Sequence, residues 1–364
     1  MEKVDFFIQN LEGGGAERVI LNIINNLNRD KFISRLILIE NKGIYLKNLN
    51  KNLEKVTFKN KVKNRKLNYI FSFIRSMIFL KKEKRIIFTQ YHPGKLLSFF
   101  IPIFFKKRKI IYRETSIPQK INQVSRNEIK ILDKLFYKYG IINFSTVIAQ
   151  SNYMKKKLLE LNPKLKDKIF VINNFIDFNF ITKKIKEIEL IKNKNNNGKY
   201  LKLIAIGRLS KEKGFDILIN SLSKIDIDFK LQILGNGPEK NYLNKLIKEK
   251  KLENKIFLRG FKENPFVELI NSDFLISSSI FEGFPNVVLE ANACGIPVIS
   301  NYYQGAIEEI IENGINGKIL DINNVNLLKE ALKKKYNKKL IIKKIRMKYD
   351  KSKIIKKYEE LLIH

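Results

Sequence analysis

From residue 201 onward, short apolar runs alternate with longer stretches of mixed polarity. LKLIAIG, FKLQILG, KIFLRG, DFLISSS and IPVIS each have the length and apolar density of a strand buried on both faces, and the stretches between them leave room for helices. That pattern points to an α/β fold with a doubly wound parallel sheet, because parallel neighbours need a crossover between them. The first half repeats the theme less cleanly in VDFFIQN, SRLILIE, KRIIFTQ, KIIYRE and STVIAQS. A first helix is predicted over residues 17–27, where Ile20, Ile23, Ile24 and Leu27 share one face. With 364 residues, the chain has about twice the length of a typical domain. Two α/β domains with a cleft between them are therefore expected, joined near the polar stretch KNKNNNGK at residues 192–199.

In folds of this class ligands gather at the carboxyl ends of the strands, so the loops there carry the functional expectations. Gly13, Gly14 and Gly15 lie between the first strand and the first helix. Glycines there let a ligand approach the backbone, and a helix amino terminus favours an anion, although a tight turn alone also explains them. Neither a GxGxxG fingerprint nor a P-loop is present. In GRLSKEKGFD, Arg208 follows Gly207 and Lys213 precedes Gly214; the two cations either neutralise a diphosphate or are ordinary surface charges. A second permissive loop, Gly235-Asn236-Gly237-Pro238, follows the next strand.

The segment FEGFPNVVLEANACGIPVIS places Glu282 before a helix over residues 287–293 and Glu290 inside it. Two carboxylates so spaced could bracket a polyhydroxylated ligand by accepting hydrogen bonds from vicinal hydroxyls. The alternative is an acid and base pair of the glycosidase kind.

Taken in order, GGGAERV, GRLSKEKGFD, GNGP, EGFPNVVLE with ACGIPVIS, and GAIEEIIENGINGKIL resemble the family 4 retaining glycosyltransferases of the GT-B fold. The motifs are dense between residues 201 and 320 and sparse between 31 and 170. The resemblance implies two Rossmann-like domains facing across a cleft. An acceptor-side domain would comprise residues 1–170 with a returning carboxyl-terminal helix, 345–364, and a nucleotide-sugar domain residues 171–344. It further implies that Arg208 and Lys213 hold the donor diphosphate and that Glu290 binds ribose hydroxyls. Glu282 would contact the transferred sugar, helped by backbone amides in the donor-binding stretch from Gly283 to Asn286, in which Phe284 and Pro285 shape the turn. Gly14 and Gly15 would approach the diphosphate, Gly207, Gly235 and Gly237 would line the donor loops, and Gly260 and Phe261 would lie near the base. Many members carry a histidine after an amino-domain strand. Here the matching stretch reads IIYRETS, which puts Glu114 near that position and leaves His92 as the other candidate.

The implied reaction is transfer of a hexose or N-acetylhexosamine from a nucleotide sugar, UDP foremost, to a lipid-linked saccharide in cell-surface polysaccharide or glycan biosynthesis. A same-fold epimerase or phosphorylase is the runner-up. No cofactor or metal is expected: Asp226-Ile227-Asp228 is formally a DxD, but it precedes its strand and is read as a turn.

Charge enters last. Seventy-one Lys and Arg against 36 Asp and Glu leave +35, which predicts an anionic partner unless base composition of the source genome accounts for the Lys-rich bias. A nucleic-acid binder fits the charge but neither Glu282 nor Glu290, and no nucleic-acid recognition motif is evident, so no nucleic-acid partner is expected. Two basic runs, residues 59–85 and 329–357, suggest contact with an anionic inner membrane surface; the first encloses the apolar segment YIFSFIRSMIFL. The stretch LLSFFIPIFF is too short to cross a bilayer. With one cysteine, Cys294, and no secretory pattern at the start, the expected location is cytoplasmic and peripheral to the inner face of the membrane.

Overall fold

The computed structural model describes residues 1–12, 14–58, 64–117, 127–191 and 200–364. Gly13, the first residues of the basic run at 59–63, and the expected connection at 192–199 lie outside them. The chain divides into two compact units, one made of Met1–Asn174 with Ser352–His364 and the other of Phe175–Lys351.

Unit 1 is built on strands β1 (Glu2–Ile8), β2 (Phe32–Leu38), β3 (Glu54–Thr57), β4 (Ile86–Gln90), β5 (Ile110–Arg113), β6 (Thr146–Ala149) and β7 (Ile169–Val171). They pair in parallel in the order β3-β2-β1-β4-β5-β6-β7. The winding reverses between β1 and β4, so the carboxyl ends of those two strands form the switch point where this topology opens a crevice. Helices α1 (Gly15–Asn26), α2 (Arg65–Lys82) and α3 (Tyr91–Phe104) follow β1, β3 and β4. Ile20, Ile23, Ile24 and Leu27 are all buried, as their spacing predicts.

A central strand of a parallel sheet should be apolar throughout. In β1, however, Asp5 is fully buried. Its partner in the β2 register is Arg35, whose Nε and Nη2 donate to the two carboxylate oxygens at 2.9 and 3.1 Å. Arg85, one residue before β4, donates its Nε to Asp5 at 2.6 Å and its Nη2 to the Ile33 carbonyl at 2.9 Å. Arg35 also reaches Glu83 at 3.1 Å. One carboxylate therefore joins β1 to both its neighbours.

The last helix, Lys351–Ile363, returns to unit 1. Its Tyr358 is buried, packs its ring 6.1 Å from that of Phe88, and accepts a hydrogen bond from Arg113 Nε at 3.3 Å.

Unit 2 contains β8 (Leu201–Ile206), β9 (Phe229–Leu234), β10 (Ile256–Gly260), β11 (Phe274–Ser277), β12 (Val298–Asn301) and β13 (Gly317–Leu320), parallel in the order β10-β9-β8-β11-β12-β13. Each run expected from residue 201 onward is a strand. Two apolar layers cover the sheet: Phe215, Leu218 and Leu243 belong to one, Val288, Leu289 and Ile307 to the other. Entry and exit of the unit are hydrogen-bonded together: Ile176 N–H donates to the Tyr349 carbonyl at 2.8 Å, and Lys351 N–H to the Ile176 carbonyl at 3.0 Å. An ion pair between Lys351 and Asp177 at 2.7 Å reinforces the clasp.

Removing Asp5 would leave two buried guanidinium groups without their shared counter-charge, a loss of about 3–5 kcal/mol for a buried pair. Asp5→Ala should therefore lower the denaturant midpoint of the full-length chain strongly, whereas Asp30→Ala, at an exposed turn, should leave it nearly unchanged; equal midpoints would remove Asp5 from this role.

Candidate active site

The loops at the carboxyl ends of β8, β9 and β10 press together so closely that side chains are excluded. Gly235 has φ +145, and a Cβ on it would stand 1.8 Å from the Gly207 carbonyl oxygen. A Cβ on Gly237 would come 2.2 Å from the Leu209 carbonyl oxygen. The backbone then stitches the three loops: Gly207 N–H donates to Leu234 at 3.0 Å, Leu209 N–H to Asn236 at 3.0 Å, and Gly235 N–H to Gly260 at 2.8 Å. Gly260 is left-handed at φ +74, and the ring of the next residue, Phe261, is exposed. The four glycines expected in the donor loops thus share one strand-end edge.

On the same edge, Gly214 takes φ +59 where the loop after β8 turns into helix Phe215–Leu222, and Ser278 donates its hydroxyl to the Lys213 carbonyl at 2.8 Å. Lys213 Nζ meets Glu282 Oε1 at 2.9 Å, and the Ser279 hydroxyl donates to the same oxygen at 2.6 Å. Both side chains remain about one-fifth exposed, at 20% and 18%. The pair keeps some contact with water, so a phosphate arriving at Lys213 could compete with the carboxylate for its charge. A small pocket beside the pair is lined by Lys213, Ser277, Ser278, Ser279, Glu282 and Pro285. Arg208 lies exposed on the preceding loop.

Glu282 is also held by its backbone, bridged to Gly305, where a Cβ would come 2.5 Å from the Glu282 carbonyl oxygen. Helix Asn286–Ala293 starts directly after Pro285. The expected backbone amides are only partly on offer, because Asn286 N–H donates to the Phe284 carbonyl at 3.1 Å. Phe284 packs its ring into the core, 6.1 Å from that of Tyr349. Gly283 is half-buried. Glu290 is buried within the helix, and burial together with its charge pushes the Cys294 thiol up to about 12. Since the thiolate is the reactive form, Cys294 is inert near neutrality.

In unit 1, Gly14 precedes α1 and Gly15 opens it. Glu17 folds back over this turn, so that a Cβ on Gly14 would meet its Oε2 at 2.1 Å. Burial, opposed by a backbone hydrogen bond and assisted by Glu12, raises the Glu17 carboxyl above its ordinary range. Gln90, at the end of β4, donates to the Ala16 carbonyl at 3.4 Å, and the next residue, Tyr91, is held at φ +57. A left-handed tyrosine at the switch point is backbone strain of about 1–3 kcal/mol. The strand-end sequence TQYHPGK offers no hint of it, nor does GGGAERV of the Glu17 fold-back.

Glu114 does not stand free. It is buried, and one carboxylate oxygen accepts from Tyr137 Oη at 2.7 Å while the other accepts from the Thr115 and Ser116 amides at 2.8 and 3.2 Å. In this arrangement it pins the turn after β5. His92 is half-buried, and burial and the Lys95 cation lower its pKa, with Asp133 opposing them, so it is neutral near pH 7. The Asp226 and Asp228 side chains are exposed at the amino end of β9 and pair with Lys329 at 3.8 Å and Lys255 at 3.7 Å. They lie a strand's length from Gly235, about 20 Å for six residues.

Known proteins match this arrangement. Residues 186–354 match the family Glycosyl transferases group 1. The chain is 27% identical over 352 residues to the N-acetylgalactosamine-N,N'-diacetylbacillosaminyl-diphospho-undecaprenol 4-alpha-N-acetylgalactosaminyltransferase of Campylobacter jejuni, covering 92% of this chain and 90% of that protein. An uncharacterized glycosyltransferase of Methanocaldococcus jannaschii is 33% identical over 198 residues, 51% of this chain and 46% of that one. Among solved structures, Anabaena HepE in complex with UDP and glucose has a TM-score of 0.79 at 19% identity, covering 100% and 99% of the two chains. TarM has a TM-score of 0.75 at 15% identity, again covering 100% and 99%. These two establish the fold as GT-B.

Two of the strand-end glycines differ in a testable way. Gly235 needs both a positive φ and an absent side chain, whereas Gly260 needs only the former, with its nearest obstacle, Asn236 Oδ1, at 3.6 Å. Gly235→Ala should cost more stability than Gly260→Ala, the latter staying near about 1 kcal/mol, in denaturant unfolding of the full-length chain; the reverse order would contradict the loop packing. With its parallel sheets, its strand-end loops and the match of residues 186–354 to the Glycosyl transferases group 1 family, the chain has the GT-B fold and is similar to the group 1 glycosyltransferases.

Proposed function

We propose that this chain is a retaining transferase of the family 4 kind, moving a hexose or N-acetylhexosamine from a UDP-sugar to a lipid-linked saccharide. It would work without a metal ion, at the inner face of the membrane, in the assembly of a cell-surface polysaccharide or glycan. The observation that carries this reading is the Lys213–Glu282 pair, set at 2.9 Å beside three glycine-tight strand-end loops. Similarity to the Campylobacter enzyme over nearly the whole chain supports the acceptor class, because that enzyme's name specifies an undecaprenol diphosphate-linked saccharide.

In the proposed reaction the bond between sugar C1 and the donor phosphate oxygen breaks, and the acceptor hydroxyl oxygen bonds to C1 on the same face. The acceptor proton passes to the departing diphosphate. Lys213 and Arg208 offset the charge growing on that diphosphate, a term of several kcal/mol when the donors are already in position. Glu282, freed from Lys213 by the arriving phosphate, accepts hydroxyls of the sugar; Glu290 accepts those of the ribose, and Phe261 offers its face to the base. Gly14 and Gly15, at the start of α1, would take the family's role of a close backbone approach to the diphosphate. Glu114 acts as a positioning residue through the turn it holds. An epimerase would need no acceptor and a phosphorylase would need free phosphate, so product analysis separates them from a transferase.

The test is nucleotide release from a panel of UDP- and GDP-sugars with lipid-linked acceptors. A UDP-sugar should be consumed only when acceptor is present; no release with any pair would refute the reading. Lys213→Ala should lower kcat by about 10²–10³, and Glu290→Gln should raise the donor KM with a smaller effect on kcat. Glu114→Gln should lower turnover more than twofold, and a smaller change would remove it from the reaction altogether.

The position of Asp226 and Asp228, at the amino end of β9 and away from the donor loops, supports the metal-independent reading. Activity should survive EDTA unchanged. Loss of activity that manganese restores would overturn this part.

A further inference from the structure

Helix α2 carries two apolar faces. One, with Phe73, Met77 and Leu80, packs on the core of unit 1. The other presents Leu67, Ile70, Phe71, Ile74 and Ile78 to solvent, each about half exposed, at the spacing i, i+3, i+4, i+7 and i+11 that makes one continuous stripe. A helix on the surface of a domain ordinarily turns a polar face outward. Next to it, the end of α3 exposes Phe100, Ile103 and Phe104, with Ile103 at 69%. The helices join there, since the Phe100 ring lies 6.2 Å from that of Phe73 and Lys81 Nζ sits 5.2 Å above the ring of Phe104. Cations rim the patch: Arg65, Lys66, Lys81, Lys82, Lys106 and Lys107 are all exposed. Among the described residues no helix is long and apolar enough to cross a membrane.

We infer that the outer face of α2 and the end of α3 form a docking surface that inserts its apolar stripe into the interface of an anionic bilayer, with the surrounding lysines and arginines on the lipid headgroups. The inference rests on the reading of this chain as working at a membrane face, and gives that reading its residues. A large exposed apolar patch marks an interaction site, and a basic rim selects its partner by charge. A second copy of the chain is the poorer occupant, because an isologous contact would bring the same cations together around its edge. The second basic run differs: helix Lys338–Tyr349 exposes Leu340 and Met347 but no such stripe, and its Lys344 is paired with Glu312 at 2.8 Å.

The test is co-sedimentation of the full-length chain with vesicles of phosphatidylglycerol and phosphatidylcholine in equal parts, against phosphatidylcholine alone. The chain should bind the mixed vesicles much more tightly, and the triple variant Ile74→Gln, Ile78→Gln, Phe104→Gln should bind them at least about tenfold less. Lys339→Gln with Lys343→Gln should stay within about twofold of the parent. The triple variant should keep its thermal shift with UDP and its nucleotide release with a detergent-solubilised acceptor, which shows that it folds. Vesicle binding by the triple variant equal to the parent's overturns the docking surface. So does equal binding to both lipid compositions, or a parent dimer that the triple variant dissolves without any vesicle binding. Vesicle binding as expected with no donor consumed would leave this surface standing and refute the proposed reaction instead.

Discussion

The carbonyl oxygen of Gly207 occupies the space where a side chain at Gly235 would begin. The packing of unit 2's strand-end loops depends on that contact. Because the loop after β9 can lie on the loop after β8 with nothing between them, the turns after β8, β9 and β10 are stitched by backbone hydrogen bonds, and Gly260 and Phe261 come to the same edge as Lys213. The Lys213–Glu282 ion pair, about one-fifth exposed, is mounted on this frame. The tight backbone packing lies in the glycines, and the charge in side chains that keep some contact with water.

Unit 1 handles charge in the opposite way. Asp5 with Arg35 and Arg85, and Glu114 with Tyr137 and two backbone amides, are buried and saturated with hydrogen bonds. The first fixes the register of the central strands and the second fixes the turn after β5. Both are costly to break and poor at exchanging partners. Buried charge therefore gives unit 1 its shape, while the Lys213–Glu282 pair of unit 2 stays in contact with water.

Much of the architecture could be read in the sequence, because strands of a covered parallel sheet are densely apolar, and LKLIAI, FKLQIL and DFLIS, each with only one or two polar residues, admit few other readings. The strands that escaped notice were β3, β7 and β13, of three or four residues each. EKVT and GKIL are too short and too polar to stand out from a loop, and only pairing with a neighbour identifies them. In the site, the glycine loops were legible because glycine is rarely wasted at strand ends. The state of a carboxylate was not. Glu114 follows its strand just as a catalytic group would, and nothing nearby in the sequence tells that Tyr137, 23 residues later, donates to it. Nor does TQYHPGK reveal a left-handed Tyr91, since tyrosine adopts that backbone only under tertiary compulsion.

The clasp between Ile176 and Tyr349, with Lys351 closing it, has a consequence for the order in which the protein is made. Unit 2 is an insertion whose two ends are tied to each other, and its whole sequence leaves the ribosome before the last helix of unit 1 exists. Until Tyr358 is synthesised, the buried face at Phe88 and Arg113 has no cover. The half that begins the chain is therefore the last to be finished, and the inserted unit is complete before the unit that encloses it in sequence.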